Sequence, residues 1–232
     1  MKKSSPVIVA LDFSSEAETM QLVNQLEPSL CRLKVGKELF TRCGPALVKQ
    51  LVDKNFDVFL DLKYHDIPNT VAKACVAAAD LGVWMLNVHA LGGEKMMAAA
   101  KQALDANHSE PPALIAVTWL TSSGQAEIDA LGISTTSQEM VTRLALMTQN
   151  AGLDGVVCSA QEAPILRQNM KDDFLLVTPG IRPANAGQDD QCRVVTPEKA
   201  MKDGSSYLVI GRPITQAKDP YQTLETIVNS LI

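Results

Sequence analysis

Aromatic side chains are scarce in this sequence, at 4% of the residues, so a hydrophobic core has to be built mainly from Val, Leu, Ile and Ala. Hydrophobic residues nevertheless make up 46% of the chain and charged residues 20%, values that exclude the disordered and fibrous classes. A length of 232 residues fits one large core, because β/α barrels of this size fold as one domain. We therefore expect a single domain over residues 1–232.

An excess of basic residues and long apolar runs are also missing. The net charge of −5 and the pI of about 5.2 argue against a nucleic-acid partner, although an acidic protein can still bind a phosphate group locally. The apolar run at 7–11 is too short for a signal peptide, and no stretch approaches the ~20 apolar residues of a membrane span. These absences predict a cytoplasmic protein without membrane contact.

Cysteine occurs without any pattern that would indicate a disulfide framework or a metal site. The five cysteines are an odd number and show neither CxxC nor Cys/His ligand spacing. They are Cys31, Cys43, Cys75, Cys158 and Cys192. We expect reduced, mostly buried thiols and no bound metal.

Eight short apolar runs recur along the chain, and several are nearly continuous in Val, Ile and Leu. Such runs are typical of parallel strands that are covered on both faces. The predicted strands are 7–11, 31–35, 56–60, 83–88, 113–118, 155–158, 174–177 and 207–210. Segments with helical periodicity separate them, which favours an α/β fold of the (β/α)8 TIM-barrel type. An open doubly wound sheet stays an alternative, although no GxGxxG follows the first strand.

Helix-start signals support the assignment of the intervening segments. Ser15 with Glu18, and Thr136 with Glu139, have the spacing of a capping box. Pro45 is suited to the first turn of a helix. Strands therefore alternate with helices in the prediction.

The segment Asp61-Leu62-Lys63-Tyr64-His65-Asp66 follows an apolar strand and carries unusual charge. Residues two apart on a strand point to the same side, so Asp61 and Lys63 should project together, with Lys34 of the second strand beside them. A network of Lys34, Asp61, Lys63 and Asp66 would keep each group ionised, and an ammonium held in this way can donate a proton. The alternative is a salt bridge at the barrel rim that adds little stability.

The loops after the seventh and eighth strands carry Gly180-Ile181-Arg182-Pro183 and Gly211-Arg212-Pro213. Barrels often bind phosphate at these two loops, where glycine exposes N–H groups and arginine adds charge-assisted hydrogen bonds. Each could be an ordinary turn, but two at the expected strands favour a phosphate site. We interpret the polar stretch 183–195 as a lid, with Gln191 as its best phosphate contact.

Two histidines invite a metal or acid–base interpretation. His89 has no second ligand at metal-binding spacing, so a hydrogen-bonded residue at a strand end is the better interpretation. His65 is interpreted as support for the loop between Lys63 and Asp66.

These motifs together resemble the orotidine 5′-phosphate decarboxylases, enzymes of pyrimidine biosynthesis. The resemblance spans nearly the whole chain and rests on Val9-Ala10-Leu11-Asp12, Leu33-Lys34-Val35-Gly36, Asp61 to Asp66 followed by Ile67-Pro68-Asn69-Thr70, and the two arginine motifs. DxKxxD alone is moderately specific, whereas the full combination is highly specific. The resemblance implies decarboxylation of orotidine 5′-phosphate to uridine 5′-phosphate without a cofactor.

The resemblance also implies roles for individual residues. Lys63 would protonate C6 of the pyrimidine, Asp61 would lie beside the substrate carboxylate, and Lys34 would organise the charges. Other implied contacts are Asp12 and Lys34 to the ribose, Thr121 to the pyrimidine, Gln191, Gly211 and Arg212 to the phosphate, and Arg182 beside the lid. A homodimer is implied too, in which Asp66 and Thr70 reach the neighbouring subunit's site.

Two rival functions stay open. A magnesium-dependent sugar-phosphate decarboxylase or lyase on the same barrel can also carry DxKxxD. A noncatalytic barrel that binds a phosphate ligand is the second rival, but simple binding would not need the Lys34, Asp61, Lys63 and Asp66 set.

Overall fold

The computed structural model of the chain describes residues 5–183 and 195–231, and its eight parallel strands close into a barrel in sequence order. The strands are β1 Val7–Leu11, β2 Arg32–Gly36, β3 Val58–Tyr64, β4 Met85–His89, β5 Ala113–Val117, β6 Gly155–Val157, β7 Leu175–Thr178 and β8 Tyr207–Ile210. β1 pairs with β8, which closes the sheet. The predicted (β/α)8 TIM barrel is confirmed.

Helices cover the outside of the barrel. They are α1 Glu16–Val23, α2 Lys37–Asp53, α3 Pro68–Ala79, α4 Glu94–Asn107, α5 Gln125–Ala130, α6 Ser137–Asn150, α7 Ala163–Asn169, α8 Pro197–Lys202, α9 Arg212–Thr215 and α10 Pro220–Asn229, with a 3-10 turn at Ala90–Gly92. In the part of the chain that the structure describes, no helix has the length and apolar character needed to cross a membrane.

The strands bury both of their faces, which explains their nearly continuous apolar sequences. In β1, Val7, Val9 and Leu11 join the large cluster formed with the helices. Ile8 and Ala10 alternate with them and join the smaller cluster inside the barrel. The interior is therefore filled with side chains below the mouth, and is not a pore.

The amino-terminal end of the barrel is occupied by a cation between two aromatic rings. The Arg32 guanidinium lies 4.3 Å from the ring centre of Trp84 and 4.9 Å from that of Tyr207. Arg32 Nε is also 3.2 Å from the Asp57 carboxylate. These contacts occupy this end, and the groups at the carboxyl ends of the strands surround the opposite mouth.

Helix starts agree in part with the predicted signals. Thr136 forms a full capping box with Glu139 at α6, whereas the Ser15 hydroxyl caps α1 and also donates to the Glu18 carboxylate. α2 begins at Lys37, earlier than Pro45 suggests, and is interrupted by Gly44 at φ 68° before Pro45 restarts it. A glycine with positive φ permits this interruption without a Cβ clash.

Candidate active site

Four charged side chains alternate in sign at the carboxyl ends of β1, β2 and β3. Lys34 Nζ lies 3.2 Å from Asp12 Oδ1 and 3.4 Å from Asp61 Oδ2. Lys63 Nζ donates to Asp61 Oδ1 at 2.5 Å. Lys34 and Asp61 are buried, and Lys63 is half-buried. The structure thus brings together Asp12, Lys34, Asp61 and Lys63, which we name the charge array.

The charge array keeps Asp61 ionised. Burial by itself raises the pKa of the Asp61 carboxyl, but the ammonium charges of Lys34 and Lys63 lower it, as do hydrogen bonds from Lys63 and Asn87. The net pKa of Asp61 lies below its usual value. A buried carboxylate of this kind is stable in place because opposite charges and donors surround it.

Two adjoining cavities open at this mouth and share Lys34 and Asp61. One has a volume of ≈ 270 Å³ and the other of ≈ 110 Å³. Residues around the larger cavity are Ala10, Asp12, Lys34, Asp61, Pro179, Gly180, Ile181, Arg182, Val209, Gly211, Arg212 and Pro213. Around the smaller one are Lys34, Phe59, Asp61, Lys63, Val117, Trp119, Leu120, Thr121, Val157, Pro179 and Val209. The charge array therefore lies where the two cavities meet.

The larger cavity has the glycine and arginine loops on its far side. Gly180 has φ 77°, a left-handed conformation that favours glycine, and Arg182 is 5% exposed. Gly211 precedes α9, so the N–H groups of Gly211 and Arg212 come before the first hydrogen bond within that helix. Such groups, together with guanidinium charge, suit an anion.

Comparison with known proteins identifies the family. Residues 5–227 match the sequence profile of the orotidine 5′-phosphate decarboxylase / HUMPS family. The chain belongs to this family. The resemblance inferred from the sequence motifs is therefore confirmed.

Individual relatives of the decarboxylase family match along nearly the whole chain. A protein of Nitrosococcus oceani named orotidine 5′-phosphate decarboxylase is 61% identical over 225 residues, covering 97% of this chain and 97% of the relative. One of Hahella chejuensis with the same name is 59% identical over 225 residues, covering 97% and 96%. The crystal structure of orotidine 5′-phosphate decarboxylase from Lactobacillus acidophilus is 42% identical, with a TM-score of 0.88 and coverage of 98% of this chain and 99% of that one.

Asp66 stands apart from the charge array within one chain. It is exposed, and its Oδ1 accepts a hydrogen bond of 2.6 Å from the N–H of Ile67. The described residues contain no salt bridge between Asp66 and Lys34 or Lys63, because β3 ends at Tyr64 and Asp66 lies in the turn before α3. Asp12, which the sequence interpretation did not include in the network, is the second aspartate of the charge array and pairs with Lys34. Thr70, in the first turn of α3, is exposed as well.

Part of the predicted phosphate side falls outside the described residues. Gln191 and nearly all of the predicted lid lie there. The two ends of the lid are described: Arg182 N–H donates to the Val195 carbonyl at 3.0 Å, and Ile181 pairs with Val195.

The sequence interpretation missed Asn87, which is fully buried in β4 and touches two residues of the DxKxxD motif. Its Nδ2 donates to Asp61 Oδ1 at 2.7 Å, and its Oδ1 accepts from the Lys63 N–H at 2.8 Å. A polar residue inside the apolar run 83–88 was the available signal. Trp119, also missed, lines the smaller cavity, and its buried Nε1 has no partner among the described residues.

His89 differs from the hydrogen-bonded residue at a strand end that the sequence predicted. Its ring stacks on His65 at 5.6 Å between centroids, which fits the supporting role expected of His65. The buried Nδ1 of His89, however, has no hydrogen-bond partner among the described residues. Burial, with the charges of His65, Lys37 and Lys63, lowers the pKa of His89, so its ring is neutral at neutral pH.

Some polar residues at strand ends serve the barrel wall and not the mouth. The hydroxyl of Thr118 donates to the Val157 carbonyl, and that of Thr178 bonds to Ser205. A separate cavity of ≈ 660 Å³ lies at the amino-terminal ends of β4 to β7 and includes no predicted site residue. Within 5–183 and 195–231, no three His, Cys, Asp or Glu side chains are grouped as metal ligands.

Proposed function

We propose that this protein decarboxylates orotidine 5′-phosphate to uridine 5′-phosphate in pyrimidine biosynthesis, without a cofactor. The observation that carries the proposal is the charge array at the junction of two cavities, in a chain of the decarboxylase family. The smaller cavity is suited to the pyrimidine ring, and the larger one to the ribose and phosphate.

Lys63 is the proposed proton donor. As the bond between C6 and the carboxylate breaks, carbon dioxide leaves and an electron pair remains at C6 in the plane of the ring. The π system does not delocalise that pair, so stabilisation has to be electrostatic. The Lys63 ammonium, held 2.5 Å from Asp61 Oδ1, can both stabilise the pair and transfer a proton to it.

The other residues of the charge array hold this ammonium and the substrate in place. Asp61 is proposed to lie beside the substrate carboxylate, and Lys34 to balance Asp61 and Asp12. The repulsion between Asp61 and the substrate carboxylate would be relieved when carbon dioxide leaves. Asp12 and Lys34 are also the proposed contacts of the ribose hydroxyls.

The phosphate contacts are remote from C6 but can still aid the reaction. Gly211 and Arg212 are proposed to bind the phosphate with Gln191, and Arg182 to bind substrate beside them. Binding energy from a group that does not react can position the reacting carbon. Thr121, at the rim of the smaller cavity, is the proposed pyrimidine contact.

A homodimer is proposed in which Asp66 and Thr70 contribute to the neighbouring site. Both side chains are exposed at the rim of the mouth within one chain. Apolar side chains that follow β3 and β4 are exposed as well. Ile67 after β3 is 66% exposed, and Leu91 after β4 is 44% exposed. Exposed apolar groups beside a carboxylate that has no salt bridge among the described residues support a subunit contact at this edge.

The decisive experiment follows the ultraviolet absorbance of orotidine 5′-phosphate with purified protein in the presence of EDTA. We expect the substrate absorbance to decay at the same rate with and without the chelator. Activity that requires added magnesium would favour a sugar-phosphate decarboxylase or lyase. Nucleotide binding without any decay would favour a noncatalytic binding barrel.

The cytoplasmic location stays a prediction.

A further inference from the structure

β3 contains a bulge at the charge array, and Asn87 is the residue that faces it. Leu60 pairs with Leu86, and the next pair is Tyr64 with Val88. Three residues of β3, Asp61 to Lys63, therefore lie opposite a single residue of β4. A bulge of this kind interrupts the hydrogen-bond ladder and leaves backbone groups that need other partners.

The backbone of Lys63 is unusual at this bulge. Its φ is 54°, and Asn55 is the only other described non-glycine residue with positive φ. A lysine in the left-handed region is strained and persists only where surrounding contacts favour that conformation. The N–H of Lys63 finds its acceptor in the side chain of Asn87, at 2.8 Å.

The Asn87 amide also sets the position of the neighbouring carboxylate. Its Nδ2 donates to Asp61 Oδ1 at 2.7 Å, the same oxygen that accepts from Lys63 Nζ. Along β4, Met85 packs inside the barrel and Leu86 and Val88 pack outside, so alternation directs Asn87 inward. One fully buried side chain thus contacts both residues whose relative position the reaction requires.

We propose that Asn87 is a positioning residue for decarboxylation, which holds the left-handed backbone of Lys63 and orients the Asp61 carboxylate through the two ends of one amide. The proposal rests on the proposed function. The role requires one planar group that presents an acceptor to the Lys63 N–H and a donor to Asp61. Asparagine supplies both, whereas an ionised aspartate supplies only acceptors.

Two substitutions test this role through kinetics. In Asn87→Ala we expect kcat to fall about 10- to 100-fold with little change in KM, because hydrogen bonds that preorganise Asp61 and Lys63 are lost. The acidic limb of the kcat/KM profile should also move to higher pH, because Asp61 loses a donor that favours its ionised form. An unchanged kcat would overturn the proposal.

The isosteric Asn87→Asp variant supplies a readout that a merely structural residue would not show. When ionised, the introduced carboxylate would repel Asp61, and when protonated it would donate to Asp61 and accept from the Lys63 N–H as the amide does. The ratio of the variant's kcat/KM to that of the unchanged protein should therefore rise as the pH falls. A ratio independent of pH would contradict the proposal, and this variant decides the question if Asn87→Ala does not fold.

Met85→Leu is the matched control, because Met85 lies on the same strand and face, one layer deeper in the apolar interior. We expect it to keep kcat and both limbs of the pH profile. Turnover by the unchanged protein is measured in the same assay as the test of the proposed function. If the unchanged protein shows no turnover, the proposed function is overturned, but the role of Asn87 is not. The crystal structure of Asn87→Ala would then decide on Asn87: an unchanged Lys63 φ and Lys63–Asp61 contact would overturn its role.

Discussion

At the scale of single residues, the site depends on three charged groups in a row. The Asp61 carboxylate holds the Lys63 ammonium, and Lys34 holds the Asp61 carboxylate. Lys34 and Lys63 approach opposite oxygens of Asp61. This arrangement gives the buried carboxylate two ion-pair partners. Both ammonium groups also face the cavities. The arrangement explains how the Asp61 carboxyl keeps a pKa below its usual value in a partly desolvated mouth.

We expect Lys63→Ala to lower kcat by about 10³-fold or more, because both the proton donor and the electrostatic stabilisation of the C6 electron pair are removed. Binding of a product nucleotide, measured by calorimetry, should be largely kept, since the phosphate loops are untouched. Lys49→Ala is the control: it removes the same charge from an exposed position on α2. Normal turnover by Lys63→Ala would remove Lys63 from its proposed role.

At the scale of elements, β3 departs most from its sequence pattern. The apolar run predicted a strand over 56–60, but the strand extends to Tyr64. Asp61 and Lys63 do contact each other, as strand alternation predicted, but through a bulge and a left-handed lysine. Alternation alone contains no information on that φ angle, because the partner that favours it, Asn87, lies 24 residues further along the chain.

The capping box of α6 is an element whose sequence signal and structure agree, and its contribution to stability can be measured. The hydroxyl of Thr136 accepts from the Glu139 N–H at 3.2 Å. We expect Thr136→Ala to lower the free energy of unfolding by about 1 kcal/mol, the usual effect of removing such a cap.

Urea unfolding followed by circular dichroism checks this value. Thr142→Ala, in the middle of the same helix, is the matched control and should be neutral or slightly stabilising, because alanine is the better residue in a helix interior. Equal destabilisation by both variants would contradict the assigned cap contribution.

At the scale of the whole molecule, closure of the barrel brings distant segments to one mouth. Asp12 of the first βα loop and Arg212 after β8 line one cavity because β1 and β8 are hydrogen-bonded neighbours. The same closure leaves Asp66, Thr70 and the exposed Ile67 on the rim. Their proposed contribution to a neighbouring site requires a dimer, so the test is made on the dimer.

Mixing two inactive variants tests the shared site. Lys63→Ala and Asp66→Asn subunits, exchanged at random in a two-fold dimer, should restore about a quarter of the wild-type sites, because each mixed dimer contains one intact site. Turnover after exchange, with mixed dimers demonstrated by native mass spectrometry, is the measurement. Mixed dimers without recovered turnover would remove Asp66 from the neighbouring site.

The sequence by itself determined the class of the fold and most of the mouth. Nearly continuous apolar strands between amphipathic helices indicated a covered parallel sheet, and polar residues at the strand ends indicated where chemistry would lie. Family membership followed from local motifs, which need no tertiary information. Asp12, Lys34, Asp61, Lys63, Gly211 and Arg212 do meet at one mouth.

Only the tertiary structure decided how these groups are held. It placed Asp12 in the charge array and left Asp66 outside, because sign alternation in a sequence does not set distances between strands. It also placed the amide of Asn87 between Asp61 and Lys63. Hydrogen bonds across neighbouring strands depend on register, and the bulge that brings Asn87 opposite Asp61 to Lys63 does not follow from strand alternation.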